Sequence, residues 1–409
     1  MPPVGLLERS KTQSVTVEWV ASEKDIPADL WERCYGQPVE GHWWYEVMEN
    51  SGLDAQFKYS YALICVDGEP VGIAPSFLMD VPIDLVAPPI VAKLFQFVGI
   101  IIPGLRYQRT LFLGSPCSDE GTVGLLPGIL LSDLALTIQD ALQERARQLR
   151  AQMIAWKDFP EANWAALDGL CESRGLFKMV SYPGTTLRLP VKNIGEYFAG
   201  LKHSRRYKLK KKLKKSQERV ALDVSVCQRP DQKLREEIFQ LFWQTYEKGE
   251  TKFERLTPKF FDLISDKPSS WFVLLRHNET GKLVAFMLCF DLGKRMVNKF
   301  IGLDYSVAGE WFLYFRLWEE ALKWVISRGA VEFQSGQTGY RAKIEIGNEL
   351  VPLMNYCKHR NPIVQRIYAA ISSRISWSTL DKDLQGFLEA HPEEDHSWGT
   401  ARPAAGAKQ

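Results

Sequence analysis

Residues 298–362 read as a strand, a helix and a second strand in succession, and this order restricts the chain to few folds. The letters are NKFIGLDY, SVAGEWFLYFRLWEEALKWVISRG and AVEFQSG, followed by a Gly-rich turn, a short helical piece and a last run, LVPLMNYCKH. The middle segment is amphipathic and ends at Gly329. A helix between neighbouring strands forms a crossover unit, and its N-terminus commonly binds anionic groups. The stretch therefore predicts the frame of an enzyme that uses a phosphate-bearing donor.

The same order of elements occurs twice along the chain. Residues 57–78 and 269–291 each contain two apolar runs around a turn, which is Asp67-Gly68 in the first case. A strand, an amphipathic helix, a short strand, a small helix and a final strand follow in both halves. We therefore predict an α/β (α+β) protein of two tandem domains, each a mixed sheet flanked by helices.

A basic segment joins the two halves. Residues 202–215 contain nine Lys or Arg and no acidic residue, while Leu209 and Leu213 lie four apart, so the predicted helix has a narrow apolar stripe. Such a charge excess favours an anionic partner over a merely solvated face. The expected units are a first domain at 1–190 with an apolar insertion at 80–110, a linking helix at 191–220, a second domain at 221–362, and an amphipathic helix with a polar tail at 363–409.

The composition fits a globular protein of two or three domains, with 409 residues, 45% of them apolar and 24% charged. Seven cysteines stand singly with no CxxC pair, which excludes a disulfide framework or a zinc pattern and fits a reducing compartment. No metal site is predicted. The N-terminus lacks the apolar core of a secretory signal, so we expect a cytoplasmic protein.

One apolar stretch, residues 85–105, approaches the length of a membrane span. Its three prolines, a lysine and a glutamine make it a poor transmembrane helix, so we expect membrane contact, acyl binding or ordinary burial. Together with residues 202–215, it would hold the protein at an anionic membrane surface, on the inner face of the membrane. The amphipathic residues 363–375 would contribute to the same contact.

The chain resembles the GNAT acyltransferases in its order of elements, and in particular the FemAB-like branch with two tandem GNAT-like domains joined by a basic helix. The words that carry the resemblance are LKHSRRYKLKKKLKKS, KFIGLDY, LYFRLWEEALKWVISRGA and FQSGQTGYRAKIEIGNELVPLMNY, with LFLGSPCSDEG as the matching word of the first half. Together they cover most of residues 60–362. The resemblance implies an acyltransferase in which an amine attacks an activated carbonyl.

The resemblance also implies where the donor binds. The strand at residues 300–304 would separate from its neighbour and offer backbone N–H groups to the donor or to an oxyanion. The turn at residues 306–310 would present a helix N-terminus to the pyrophosphate of a CoA thioester. YSVAGEW has one Gly and carries Glu310, unlike the Gly-rich basic loops of simple GNAT enzymes, and this departure leaves acyl-carrier protein and aminoacyl-tRNA open as donors. No permanently bound cofactor is expected. The predicted donor-binding residues are Phe300, Ile301, Gly302, Arg205 and Arg206.

Amine acylation requires a base for the ammonium proton and an acid or dipole for the leaving group. Asp304 and Tyr305 follow the separating strand, and Glu310 lies in the first helical turn. Asp304 also fits an N-cap or turn role, and Glu310 also fits a carboxylate favoured there by the helix dipole. The resemblance places a lysine of a YxxK word near the reacting groups, and Tyr340 and Lys343 match that word. We therefore predict these five residues as the catalytic set.

Three functions remain open from the sequence. The first is an N-acyltransferase that moves an acyl group from acyl-CoA or acyl-carrier protein to a small-molecule or lipid amine, such as a sphingoid base. The second is an aminoacyl-tRNA-dependent transferase of cell-wall or peptide synthesis. The third is a non-catalytic module that binds an anionic surface through its basic face.

Overall fold

A computed structural model describes residues 14–36, 40–82, 107–249 and 255–395. The predicted insertion at 85–105 and the end of the tail lie outside the described residues. The strands are β1 (Val15–Val20), β2 (Lys58–Val66), β3 (Glu69–Pro82), β4 (Tyr107–Leu113), β5 (Gly124–Leu125), β6 (Met153–Pro160), β7 (Phe177–Val180), β8 (Gly184–Arg188), β9 (Leu222–Cys227), β10 (Ser270–His277), β11 (Leu283–Leu292), β12 (Arg295–Leu303), β13 (Glu332–Gln334), β14 (Glu349–Val351) and β15 (Leu353–His359).

The helices that flank these strands cover both halves of the chain. They are α1 (Ala28–Cys34), α2 (His42–Asn50), α3 (Leu131–Gln148), α4 (Trp164–Arg174), α5 (Ile194–Gly200), α6 (His203–Arg219), α7 (Gln232–Lys248), α8 (Pro258–Ser265), α9 (Leu313–Ser327), α10 (Tyr340–Ile346), α11 (Pro362–Ser372), α12 (Trp377–Leu380) and α13 (Lys382–Ala390). None of the described helices is both long enough and apolar enough to cross a membrane.

The strands form two mixed sheets, so the fold class predicted from the sequence is confirmed. The first sheet has the order β1-β2-β3-β4-β6-β15-β7, with β5 beside β3, and the second has the order β14-β8-β13-β12-β11-β10-β9. Each sheet contains one parallel pair, β4 with β6 and β12 with β13, among antiparallel neighbours. Two sheets with flanking helices, joined by the basic helix α6, make the tandem architecture.

Local signals in the sequence account for several elements. Asp67 and Gly68 both have positive φ, 51° and 86°, which matches the tight turn that twists β2 onto β3. In α9 the apolar residues recur at helical spacing and are buried, and Gly329 follows the helix with φ 72°. Leu209 and Leu213 of α6 are buried as predicted, and most of the lysines of that helix are exposed.

The two sheets exchange a strand. In the first half β7 stays in its own sheet, whereas β8 lies between β13 and β14 of the second; in return β15 lies between β6 and β7. Pro183 and Pro352 stand at the two crossings, where a residue without an N–H interrupts the ladder. The expected range 1–190 therefore contains one strand of the second sheet, β8, and the expected range 221–362 contains one strand of the first sheet, β15.

The two halves also share a hydrophobic core. One cluster of buried side chains combines α1, α2, β2 and β3 of the first half with α7, α8 and β10 to β12 of the second. Trp44 of the first half is fully buried, and its ring centroid lies 6.0 Å from that of Phe260 and 6.2 Å from that of Phe290. This packing holds the facing loops of the two halves in fixed positions.

Candidate active site

The second sheet opens into a fork between β12 and β13. These strands pair over only three positions, from Arg295 with Glu332 to Val297 with Gln334, while β12 continues to Leu303. In the first sheet the corresponding pair, β4 and β6, stays together to the last residue of β4. The separation expected around residues 300–304 thus begins at residue 298, and it occurs in the second half.

A β-bulge lies where the fork opens. Asn298 pairs with Cys289 and Phe300 pairs with Leu288, so Lys299 is the extra residue of β12. The Lys299 side chain is 2% exposed, and its Nζ lies 4.8 Å from the ring centroid of Trp44. A bulge redirects a side chain, and here it sends an ammonium group from the second half into the junction with the first.

Two carboxylates of the first half receive this ammonium group. The Nζ of Lys299 donates to Glu40 Oε1 at 2.6 Å and to Asp119 Oδ1 at 2.7 Å, and the N–H of Asp119 donates to Glu40 Oε1 at 2.9 Å. Burial alone would lower the pKa of Lys299, but Asp119 and Glu40 outweigh it and raise that pKa above its ordinary value. Burial raises the pKa of Glu40, and Lys299 opposes the rise. The three groups form a buried ionic cluster.

A second, more accessible group of charges lies beside this cluster. Arg295 Nη1 is 3.6 Å from Glu120 Oε1, and Arg295 Nε is 3.9 Å from Glu332 Oε2. The Glu120 side chain is 24% exposed, compared with 8% for neighbouring Asp119. Burial, with a contribution from Glu40, raises the pKa of Glu120 to about 7 although Arg295 opposes it. Glu120 is therefore a carboxyl group that can exchange a proton near neutral pH.

Lys343 lies close enough to Asp119 for that carboxylate to affect its pKa. Its buried Nζ donates to the carbonyl oxygens of Ser335, of Gly336 at 3.3 Å and of Gln337 at 3.0 Å. Burial lowers the pKa of Lys343 to about 7, and Asp119 acts in the other direction. A Cβ added at Gly336 would lie 3.4 Å from Asp119 Oδ1, so this turn, which Lys343 holds, directly faces that carboxylate.

A buried acceptor at the fork has no partner among the described residues. Asn298 is 8% exposed; its Nδ2 donates to Ser335 Oγ at 2.9 Å, whereas its Oδ1 accepts no hydrogen bond. A buried polar atom without a partner costs free energy, so such atoms mark places where a ligand or water binds. The fork thus offers an acceptor next to the turn that Lys343 holds.

The other predicted catalytic residues lie elsewhere. Asp304 is buried, and its carboxylate accepts from Lys282 Nζ at 2.6 Å and from Ser306 N at 3.1 Å. Burial alone would raise the pKa of Asp304, but these hydrogen bonds outweigh it and lower the pKa. Asp304 follows Asn298 by six residues of extended chain, or roughly 20 Å, so it cannot reach the atoms that Lys343 reaches.

Tyr305 and Glu310 belong to the same distant region. The Tyr305 ring lies 4.5 Å from Lys248 Nζ, and Glu310 is exposed, with its carbonyl accepting from Arg219 at 2.5 Å. Tyr340, at the start of α10, is fully buried and donates its hydroxyl to the Pro183 carbonyl at 2.8 Å. Of the five predicted catalytic residues, Lys343 lies near the buried ionic cluster, because it holds the turn that faces Asp119.

The predicted donor-binding residues of β12 are partly covered by α7. A Cβ at Gly302 would lie 2.7 Å from the backbone carbon of Leu241, so Gly302 is needed for close packing. The N–H of Leu303 donates to Thr245 Oγ1 at 3.3 Å. Phe300 packs in the shared core, and Ile301 packs in the core of the second half. This edge of β12 is therefore less open than the sequence suggested.

Three of the first four N–H groups of the helix expected to bind pyrophosphate are used within the protein. The N–H groups of Leu313, Phe315 and Arg316 donate to the carbonyl oxygens of Ala308 and Phe312 at 3.0–3.2 Å. Donors already used within the turn do not bind a phosphate without rearrangement. This agrees with the poor phosphate-binding composition of YSVAGEW.

The remaining predicted donor-binding residues lie on α6. Arg206 Nη1 donates to the Ala199 carbonyl at 3.1 Å, and both Arg205 and Arg206 are half-buried. Farther along the helix, Lys212 pairs with Glu345 of α10 at 2.6 Å. The exposed lysines form an open basic surface, whose residues are Lys208, Lys210, Lys211, Lys214 and Lys215.

The sequence analysis did not select the three residues of the buried ionic cluster, Glu40, Asp119 and Lys299, or Glu120 beside it. Asp119 and Glu120 belong to LFLGSPCSDEG, one of the words that carry the resemblance, but neither acidic residue is predicted to have a role. Lys299 is the first residue of the word KFIGLDY, in which the prediction selects Asp304 near the other end. Within the described residues, no group of His, Cys, Asp and Glu side chains is arranged to hold a metal ion.

A family model and several solved structures match this chain. The FemAB-like model, described as peptidoglycan biosynthesis/recognition, matches residues 137–375, which is more than half of the chain and spans parts of both halves. No curated protein matches the chain.

Among solved structures, that of FemX superposes with a TM-score of 0.55 at 12% identity, covering 86% of this chain and 100% of that one. L-PGS from Bacillus licheniformis gives 0.48 at 11% identity, covering 86% and 98%. A tandem GNAT protein from the clavulanic acid biosynthesis pathway gives 0.47 at 11% identity, covering 85% and 99%. At such identities the FemX likeness shows a shared fold.

Proposed function

The chain belongs to the FemAB-like family, and we propose that it is a GNAT-type transferase that moves an acyl or aminoacyl group from an activated carbonyl to a primary amine at the junction of its two halves. One observation carries the proposal: the β12–β13 fork opens onto a buried cluster in which Asp119 of the first half contacts Lys299 and faces the turn held by Lys343 of the second. Neither half supplies this arrangement alone.

Glu120 and Lys343, which lie beside the buried ionic cluster, supply the groups that amine acylation requires. The acceptor nitrogen forms the new C–N bond while the bond from the carbonyl carbon to the leaving sulfur or oxygen breaks. Glu120 takes the proton of the acceptor ammonium, since its pKa of about 7 lets the carboxylate accept it near neutral pH. Lys343 holds the turn at residues 335–337, and its positive charge stabilises the negative charge that develops on the carbonyl oxygen of the donor. Glu120 releases the ammonium proton to solvent. The attacking nitrogen loses a second proton as the amide forms, and that proton passes through Glu120 or solvent to the departing thiolate or alkoxide.

The donor we propose is an acyl thioester, held on a carrier protein in preference to free CoA. The N–H groups at the start of α9 are used within the protein, which disfavours a site for the CoA pyrophosphate there. The exposed lysines of α6 favour an anionic macromolecule. That same surface suits aminoacyl-tRNA, which keeps the Fem-type aminoacyl transfer as the alternative.

The acceptor we propose is a small-molecule or lipid amine. Glu40, Asp119, Glu120 and Glu332 outnumber Lys299, Arg295 and Lys343 around the fork, and this excess of one carboxylate suits a cationic ammonium group. The unpartnered Asn298 Oδ1 adds a neutral acceptor for an N–H of the same substrate.

A donor panel tests the proposal. The full-length protein is incubated with acyl-CoA, acyl-carrier protein or aminoacyl-tRNA and a mixture of amines, and the release of free thiol or uncharged tRNA is followed together with the mass of the new amide. We expect amine-dependent turnover with a carrier-bound donor and its loss in Glu120→Gln. Glu349→Gln, at an exposed carboxylate of β14, is the matched control and should retain turnover.

The outcomes separate the alternatives. Turnover with aminoacyl-tRNA alone replaces the thioester donor by the Fem-type one. Binding of anionic polymers without amine-dependent turnover of any donor supports the non-catalytic module and contradicts the proposal. Full activity of Glu120→Gln would remove Glu120 as the base while leaving the reaction class intact.

A further inference from the structure

Helix α11 carries an apolar face that points to solvent. Ile363 is 67% exposed and Ile367 is 50% exposed, and their spacing of four residues puts them on one side of the helix together with exposed Ala370. The opposite side is anchored, because Tyr368 and Ala369 pack onto the first sheet. The helix is therefore held with its isoleucines outward.

Arginines without ion-pair partners surround this face. Arg360, Arg366 and Arg374 are exposed, and none forms an ion pair with any described residue. No Asp or Glu occurs anywhere in residues 350–380. Ile363, Ile367 and Ala370 with these three arginines are called the α11 face below. An apolar centre with a cationic border is the pattern of helices that lie in a lipid–water interface.

The α11 face lies at one end of the first sheet. Tyr368 lies beside the side chain of Gln108, next to Tyr107, which is 51% exposed and pairs with Pro82. The chain leaves the described sheet at Pro82 and returns at Tyr107, and the residues between them are mostly apolar in sequence. The strand ends at Pro82 and Tyr107 therefore lie close to α11.

We propose that the α11 face docks the protein onto an anionic lipid bilayer. The isoleucines enter the boundary between head groups and acyl chains, and the arginines bind lipid phosphates. This assigns membrane contact to α11, whereas the basic surface of α6, where exposed lysines outnumber the exposed Tyr207, remains for the macromolecular donor. The proposal is independent of the reaction, since it concerns binding in the absence of any donor.

Vesicle flotation of the full chain tests the proposal. Vesicles of phosphatidylcholine with phosphatidylglycerol are compared with vesicles of phosphatidylcholine alone. We expect flotation with the anionic vesicles, a loss of roughly tenfold or more in Ile363→Gln/Ile367→Gln, and a weaker, salt-sensitive loss in Arg360→Gln/Arg366→Gln/Arg374→Gln. Circular dichroism and thermal unfolding check that each variant is folded.

Two control variants make the result specific. Leu130→Gln changes an apolar side chain that is 61% exposed at the start of α3, and Lys210→Gln/Lys214→Gln removes charge from α6. Both should float like the unaltered protein. Failure of the unaltered protein to float, wild-type flotation of the isoleucine variant, or loss of flotation only in the α6 variant would each overturn the proposal.

Discussion

Lys299 and Asp119 form an ion pair of 2.7 Å between residues that are 180 positions apart in the chain. One stands at the bulge of β12 in the second half, and the other follows β4 in the first half. The pair places the acidic loop of the first half directly at the fork of the second. The duplicated plan is therefore used asymmetrically, because one copy contributes the open fork and the other contributes carboxylates.

Replacing Lys299 by Met should destabilise the protein strongly. The change leaves Glu40 and Asp119 buried without their cation, and breaking a buried pair in this way costs about 3–5 kcal/mol in the free energy of unfolding. The matched control is Lys282→Met, because Lys282 also pairs with a buried carboxylate but is 65% exposed, and such pairs contribute about 1 kcal/mol or less. Urea unfolding measures the free energy of unfolding of both variants, and equal losses would contradict a larger contribution from the buried ion pairs of Lys299.

The rate of amine acylation should rise with pH up to about 7. Only the carboxylate form of Glu120 accepts a proton, and below its pKa of about 7 the protonated fraction grows, so kcat/KM should fall about tenfold per pH unit. Glu120→Gln should lower kcat/KM by about 10²–10⁴-fold and abolish this acid limb. A pH–rate profile of each protein checks this. An acid limb that persists in Glu120→Gln would assign the titration to another group.

Much of the local structure follows from the sequence. The turn at Asp67-Gly68, the buried face of α9 and the stripe of Leu209 and Leu213 are all determined by residues close together in the chain, so periodicity and turn chemistry predict them. The strand exchange is different. Nothing in the pattern of β8 or β15 tells in which sheet a strand pairs, because both sheets offer similar apolar surfaces.

The site was predictable only in part for the same reason. A local word of the sequence predicts Lys343, whereas the turn that Lys343 holds faces Asp119, which comes from the other half of the chain. Asp304 was chosen because it ends a strand, yet its nearest cation, Lys282, lies on the neighbouring strand end and neutralises it. A burial-dependent property such as the raised pKa of Glu120 exists only once both halves are packed together.

The alkaline limb of the same pH profile should depend on Lys343. Its pKa is lowered to about 7 by burial, so raising the pH removes the positive charge and one of the three donors that hold the turn at residues 335–337. kcat/KM should therefore fall above pH 7 in the unaltered protein. Lys343→Met should be roughly tenfold or more slower and show no such fall. Because the two groups share neighbours, the apparent pKa values belong to the pair. An unchanged alkaline limb in Lys343→Met would contradict this role.

Gly302→Ala should destabilise the second half by overpacking. A Cβ at this position would lie 2.3 Å from Phe286 Cε1 and 2.7 Å from the backbone carbon of Leu241, so α7 would have to move away from β12. Forced shifts of this kind cost about 1–3 kcal/mol, and here they would also lengthen the hydrogen bond from Leu303 to Thr245. Gly309→Ala is the control, since a Cβ there meets nothing within 4 Å. Thermal or urea unfolding compares the two variants. Equal stability of the two variants would contradict the close packing of α7 on β12 at Gly302.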